Sequence, residues 1–317
     1  MGISVNQLAL NLVKEMIQRK SELRIQITES PQGATVIDLG INVQGGYLAG
    51  KYLTEVCMGG LGSTFISMEE FGTLHLPSMS VYTDHPAISL LGSQFAGWKI
   101  RTKDYFAMCS GPGRALAQKP RHIYSSIAYE DKSDVSVLVL ESDSMPTSEA
   151  LSLMAEECSI SLDRLYVLVA PTSSLSGSTQ ISGRILETGL HRLTNIGLDP
   201  RRVISGLGVA PIAPVHPQHA TAMGRTNDMI LYGGATFFTV DVEDDSSLRN
   251  QVEQASSTAS RDYGKTFAEI FRNANEDFYK IDPALFAPGV IVISNVRTGS
   301  TFSSGYINND LLRQSIS

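Results

Sequence analysis

Cysteine is scarce: Cys57, Cys109 and Cys158 are the only three in 317 residues. They are widely spaced, no C-x-x-C occurs, and an odd count does not build a disulfide framework. Basic clusters are missing as well. The formal net charge is −7 and no Lys/Arg run exceeds two residues, so the basic stripe that a nucleic-acid backbone requires is absent. No stretch holds eighteen consecutive apolar residues, which leaves no segment that reads as membrane-spanning. The opening "MGISVNQLALNLVKEMIQRK" lacks the basic lead and unbroken apolar core of a signal peptide. Asn6 stands where a myristoylation motif wants Ser or Thr. A cytoplasmic protein is therefore expected. Neither G-x-x-x-x-G-K-[ST] nor G-x-G-x-x-G is present, which disfavours a phosphate-loop phosphotransferase and a nicotinamide or flavin enzyme.

The chain does have ordinary globular composition, 42% hydrophobic and 18% charged, and enough length for two domains. Ser4 and Gln7 fit a capping box ahead of apolar residues at helical spacing, Leu8, Leu12 and Met16 with Leu10, Val13 and Ile17. "DVSVLVLES" reads as an apolar strand and "TSEALSLMAEEC" as a capped helix. "SMSVYTDHPAIS" predicts a strand, a turn at Asp84-His85-Pro86 and a helix. "YFAMCSGPGRALAQ" repeats that order. In "RRVISGLGVAPIAPV", Pro211 and Pro214 argue against a long central strand. "AMGRTNDMILYGG" is expected as a polar turn running into a strand, and Asp241–Lys265 as the most exposed segment. "GVIVISN" and "TFSSGYIN" predict a closing hairpin. Strands alternating with helices place the chain in the α/β (α+β) class. The expected domains are residues 1–130 and 131–317, with the C-terminal part free to pack back on the first.

The most informative stretch is "LYVLVAPTSSLSGSTQISGRILETGLHRLTNIG", Leu165 to Gly197. It predicts a strand, a Ser/Thr/Gly loop over Pro171–Thr179 and a helix over Gln180–Ile196. Ile181, Ile185, Leu186, Leu190, Leu193 and Ile196 share one half of that helix. Arg184, Glu187 and His191 share the other, at spacings that let them touch. Two readings follow: a solvated ion pair worth a few tenths of a kcal/mol, or an acid–base pair just beyond a strand's carboxyl end, where α/β sheets gather ligands. The loop also suits a phosphate or carboxylate cradle.

Other constellations are weaker. Asp84 and His85 suit a base with its orienting acid, or a helix start. Cys109-Ser110 beside Gly111 suits a nucleophile in a turn, or a small buried Cys without a base. His216 and His219 lack a third metal ligand. Arg225, Thr226, Asn227 and Asp228 suit recognition of an amide-rich heterocycle, or an ordinary turn.

Eight blocks in order, "EVCMGGLG", "TDHPAIS", "YFAMCSGPGRALA", "VAPTSSLSGSTQISGRILETGL", "GVAPIAPV", "AMGRTNDMILYGG", "DYGKTFAEIF" and "DFYKIDPALFAP", resemble the signature blocks of methenyltetrahydromethanopterin cyclohydrolases. The resemblance implies reversible hydrolysis of N5,N10-methenyl-tetrahydromethanopterin, or its dephospho form, to the formyl derivative. It implies no metal, nicotinamide or other prosthetic group, the coenzyme being the substrate. It further implies a homotrimer of two-domain subunits with the pterin in an interdomain cleft, and no nucleic-acid or membrane partner. The family's catalytic pair maps onto Arg184 and Glu187. Contacts to the pterin and its tail are expected from Thr83, Asp84 and His85, from Ser110, Gly111 and Arg114, from Ser178 and Gln180, and from Arg225, Thr226, Asn227 and Asp228. A cation facing a cationic substrate is costly, so Arg184 is expected to pair with Glu187 and not point at the reacting carbon. Where archaeal members commonly carry Lys, this chain has the aromatic Phe95 of bacterial-type members, which suggests a coenzyme with fewer tail anions. The competing reading is a catalytically silent pterin-binding or assembly protein of the same fold.

Overall fold

The computed structural model describes residues 2–317. Its strands are β1 (Gln26–Glu29), β2 (Thr35–Asp38), β3 (Ser63–Phe71), β4 (Leu74–Thr83), β5 (Trp98–Arg101), β6 (Phe106–Ser110), β7 (Ser136–Glu141), β8 (Leu165–Ala170), β9 (Val203–Pro211), β10 (Ala235–Val240), β11 (Val290–Asn295) and β12 (Thr301–Gly305). They make two six-stranded mixed sheets with helices packed on them, the α/β (α+β) class expected. Two compact units result: residues up to Ser63 with Ala87–Gln180, and Thr64–Pro86 with Ile181–Ser317. A single boundary near residue 130 is thereby corrected. The early β4 pairs with the late β9 from Ser78↔Pro211 to Thr83↔Gly206, so residues 64–86 join the second sheet. Such long-range pairing leaves no local mark in the sequence.

In the first unit the sheet order is β1-β2-β8-β7-β6-β5, with β8 parallel to both β2 and β7. Parallel strands covered on both faces are apolar almost throughout, which is why β7 and β8 read as continuous hydrophobic runs. Val137 and Val139 point into one core with the helices Val5–Gln18 and Tyr47–Cys57. Leu138 and Leu140 point into the other, under the helix Ser148–Glu157. The Ser4 hydroxyl accepts the Gln7 amide at 3.3 Å, as the capping pattern predicts. The Gln7 side chain donates instead to Asp134 at 2.9 Å, so only half of the box forms. Ala87–Gln94, expected as an ordinary helix, is π-helical, and the Phe95 amide reaches back five residues to the Leu90 carbonyl at 2.7 Å.

The second unit has the order β12-β11-β10-β9-β4-β3. The expected closing hairpin forms, β11 and β12 pairing antiparallel. Three expectations are corrected. β9 is nine residues long and is paired on both sides, because Pro211 is its last residue and Pro214 lies beyond it. The block with Arg225–Asp228 is no turn but the middle of the helix His219–Gly233, whose Met229, Leu231 and Tyr232 enter the core beside Phe267, Ile270 and Leu312. The polar stretch after Asp241 folds into the helix Asp245–Glu253, burying Leu248 and Val252, and its Ser256 and Ser257 are fully buried. Tertiary burial overrides composition there. No helix among the described residues is long and apolar enough to cross a membrane.

Candidate active site

The helix expected over Gln180–Ile196 is broken. One helix runs Leu175–Ser182, absorbing most of the supposed Ser/Thr loop, and a second runs Ile185–Asn195. At the break the Ser182 hydroxyl donates to the Pro211 carbonyl at 2.8 Å, and the Arg184 amide closes a tight turn onto Ile181 at 2.9 Å. Arg184 then caps the second helix, its carbonyl receiving the Thr188 amide. Glu187 falls in the first turn, where the free amide ends of a helix favour a negative charge.

The two charged side chains are sequestered. Arg184 and Glu187 are 12% and 10% exposed and lie 3.8 Å apart, Nη1 to Oε2. The surface pair Arg201–Asp199 keeps 58% and 36%. A solvated helix face is therefore excluded for this pair. At that separation two charges near a protein surface attract with a gross energy of about 4 kcal/mol, much of it offset by desolvation. The arginine is aimed at the carboxylate, as the charge argument requires. His191, expected to join them, is also placed beside Asn195, 3.5 Å from its side-chain nitrogen.

The depth at which this helix sits is set by missing side chains, a feature sequence reasoning overlooked. Ile185, Leu186, Leu190 and Leu193 are fully buried. A methyl added to Gly208 would stand 3.0 Å from Ile185 Cγ2 and 3.2 Å from Leu186. One added to Gly206 would meet Leu186 and Phe238 at 3.3 and 3.1 Å, and one on Gly189 would meet Phe238 at 3.0 Å. The first turn thus rests on two bare positions of β9, Gly206 and Gly208, neither of which can be enlarged without moving it. The signal was present in "SGLGVAP", where glycine alternates with Leu207 on the opposite face.

The remaining expected site residues divide between the two units. In the second, Thr83 ends β4 buried, and its hydroxyl accepts the His85 amide at 3.1 Å, while Asp84 and His85 are exposed. Arg225 donates to the carbonyls of Ser315 and Ile316, both at 3.3 Å. Thr226 and Asn227 donate to the Met223 carbonyl. Asp228 accepts the Phe267 amide at 2.7 Å and the Ser315 hydroxyl at 2.6 Å. Burial pushes its carboxyl up to about 7 against those two hydrogen bonds. This block ties the C-terminal helix Asn309–Ile316 to the core, with Asp228 as its buried knot.

In the first unit, Ser110 lies 3.2 Å from the Cys57 sulfur, and Cys109 is buried, the inert reading of that turn. Gly111 has φ of 97° and donates to the Ser93 carbonyl at 2.9 Å. Arg114 is fully buried: it donates to the carbonyls of Leu91, Ser93 and Lys119, and its guanidinium lies 5.4 Å from the Phe95 ring centre. It thereby braces the π-helix. Ser178 and Gln180 are buried within the helix Leu175–Ser182.

The chain is thus a mixed α/β protein with a Glu–Arg pair sequestered at a helix start. Comparison with known proteins is specific. Residues 4–316 match the family model described as Cyclohydrolase (MCH). The methenyltetrahydromethanopterin cyclohydrolase of Methanothermobacter thermautotrophicus is 44% identical over 319 residues, covering 99% of each chain. That of Methanocaldococcus jannaschii is 44% identical over 99% of this chain and 98% of its own, and that of Methanococcoides burtonii 43% over the same shares. The chain belongs to the methenyltetrahydromethanopterin cyclohydrolase family.

Proposed function

We propose that this protein hydrolyses N5,N10-methenyl-tetrahydromethanopterin, or its dephospho form, to the formyl derivative, reversibly. Glu187 is the general base and acid, and Arg184 holds it in place. The observation that carries this reading is the sequestered Arg184–Glu187 pair, set within a chain that matches the family from end to end.

The chemistry asks for such a pair. The methenyl carbon lies between two nitrogens and shares a positive charge with them, so it is already electrophilic. Water adding to it must lose a proton, which the Glu187 carboxylate accepts. The tetrahedral adduct then breaks its bond to one nitrogen. That nitrogen takes the proton back from Glu187 while the adduct's hydroxyl gives up its own proton to solvent, so the carbon becomes a neutral formyl group, the carboxylate is restored and one proton is released per turnover. Acid–base help of this kind is typically worth about 10²–10⁴-fold. Arg184 and the helix amides orient Glu187, and the carboxylate lies between the guanidinium and the cationic substrate. The reaction needs no metal, nicotinamide or prosthetic group, because the coenzyme is itself the substrate. A homotrimer is part of the same proposal. Phe95, committed to the Arg114 guanidinium, adds no cation for a tail anion, which favours the dephospho coenzyme.

The test is the decay of methenyl absorbance on adding the purified protein to each coenzyme form. Decay no faster than in buffer for both forms sinks the function. A marked preference for the phosphorylated form sinks the tail assignment alone.

A further inference from the structure

The break between the helices Leu175–Ser182 and Ile185–Asn195 spans only Gly183 and Arg184. We propose that Ser182, at its near edge, is a positioning residue for Glu187: its hydroxyl fastens the break to the end of β9 and so fixes where the carboxylate is held. The inference rests on the reading of Glu187 as the proton carrier.

The Ser182 side chain is fully buried, where a hydroxyl is costly unless it is bonded. Helical hydroxyls commonly turn back onto their own helix, as Thr179 does to the Leu175 carbonyl at 2.7 Å and Thr194 to that of Leu190 at 2.8 Å. Ser182 reaches a carbonyl 29 residues away, that of Pro211, at 2.8 Å. The acceptor is a stiff one. Pro211 has its φ fixed by its ring. It pairs with Ser78 in β4, and the amide of the next residue, Ile212, donates to the Pro77 carbonyl at 2.6 Å. A methyl on Gly233 would stand 2.6 Å from Pro211 Cγ, and one on Gly234 would overlap Ile185 Cδ1. The Gly-Gly that ends "AMGRTNDMILYGG" therefore seats both anchors: Pro211, which holds Ser182, and Ile185, which begins the Glu187 helix. The break is fastened on both sides, by a hydrogen bond at Ser182 and by packing at Ile185, with Arg184 between them. Deleting the hydroxyl frees one side and leaves the Arg184 and Glu187 side chains intact. A proton carrier displaced by tenths of an ångström loses rate more than the substrate loses affinity.

Methenyl absorbance decay in the parent and in Ser182→Ala, both checked for folding by circular dichroism, is the experiment. The deletion should lower kcat about fivefold or more with KM within about twofold, and Ser182→Cys, which keeps a weak donor, should lie between the two. In an Arg184→Gln background the carboxylate has already lost its holder. There the same deletion should cost less than roughly half the factor it costs in the parent, whereas a merely structural loss would cost the same factor in both. An unchanged kcat in Ser182→Ala, or equal factors in the two backgrounds, overturns the inference. Should Ser182→Ala fold poorly, Ser182→Cys carries both comparisons. A parent that does not speed decay, or a Glu187→Gln protein as fast as the parent, sinks the underlying function and this inference with it.

Discussion

Replacing Asp228 by Asn tests how the C-terminal helix is held. The carboxyl is buried, accepts the Phe267 amide and the Ser315 hydroxyl, and is pushed up to about 7. An unfolded aspartate titrates near 3.9. Below that value both states are protonated and the group contributes no pH dependence. Between about 4 and 7 the folded chain keeps a proton that the unfolded chain has lost, so stability falls as pH rises. Above 7 both states are ionised and the deficit stays constant. A gap of about three pKa units corresponds to about 4 kcal/mol. Asn is nearly isosteric, still accepts the Phe267 amide and can donate to the Ser315 oxygen, so it should escape most of that cost. Urea unfolding of both proteins from pH 4.5 to 9 measures it. The variant should match the parent within about 1 kcal/mol at pH 4.5 and exceed it by about 2–4 kcal/mol at pH 8.5, the gap opening through pH 5–7. Parallel curves across the range, or a variant weaker at pH 8.5 than at pH 4.5 relative to the parent, would refute the buried-knot argument.

Two further outcomes follow from the site. Gly208→Ala leaves the second unit folded but lifts the first turn of the Glu187 helix by tenths of an ångström. It should lower kcat about tenfold with KM little changed, at a stability cost of about 1–3 kcal/mol, and Ile185→Ala in the same chain should restore part of kcat; an unchanged kcat discards the glycine floor as a positioning device. Arg184→Gln strands Glu187 in a sequestered place without its cation and should cost activity tenfold or more, with Arg184→Lys recovering part of it; full activity in Arg184→Gln would remove the orienting role.

The parts that could be read from sequence were those where local chemistry and burial agree. β7 and β8 announced themselves because strands covered on both faces are apolar throughout. The first helix was visible through its Ser4 cap. The Arg184–Glu187 pair was visible as a spacing, yet periodicity alone also fitted a solvated face. What separated the readings was burial, which spacing along a helix does not report. The errors share that origin. Pro211 looked like a strand breaker because its place at the strand's end is fixed by pairing with Ser78, 133 residues earlier. Arg225–Asp228 looked like a polar turn because the partners of Arg225 and Asp228 lie far along the chain, at Ser315, Ile316 and Phe267, while Thr226 and Asn227 bond to the Met223 carbonyl one helical turn back. The interleaving of the two units has the same cause: β4 finds its partner far along the chain.

The central claim is that Glu187 carries the proton in both halves of the reaction, and substituting it is the most direct test. Methenyl absorbance decay is followed with the parent protein and with Glu187→Gln, after circular dichroism has shown that both are folded. The account predicts a fall in kcat of about 10²–10⁴-fold with a modest change in KM, because the amide can neither take nor return the proton. Equal decay rates above background in the two proteins would contradict it.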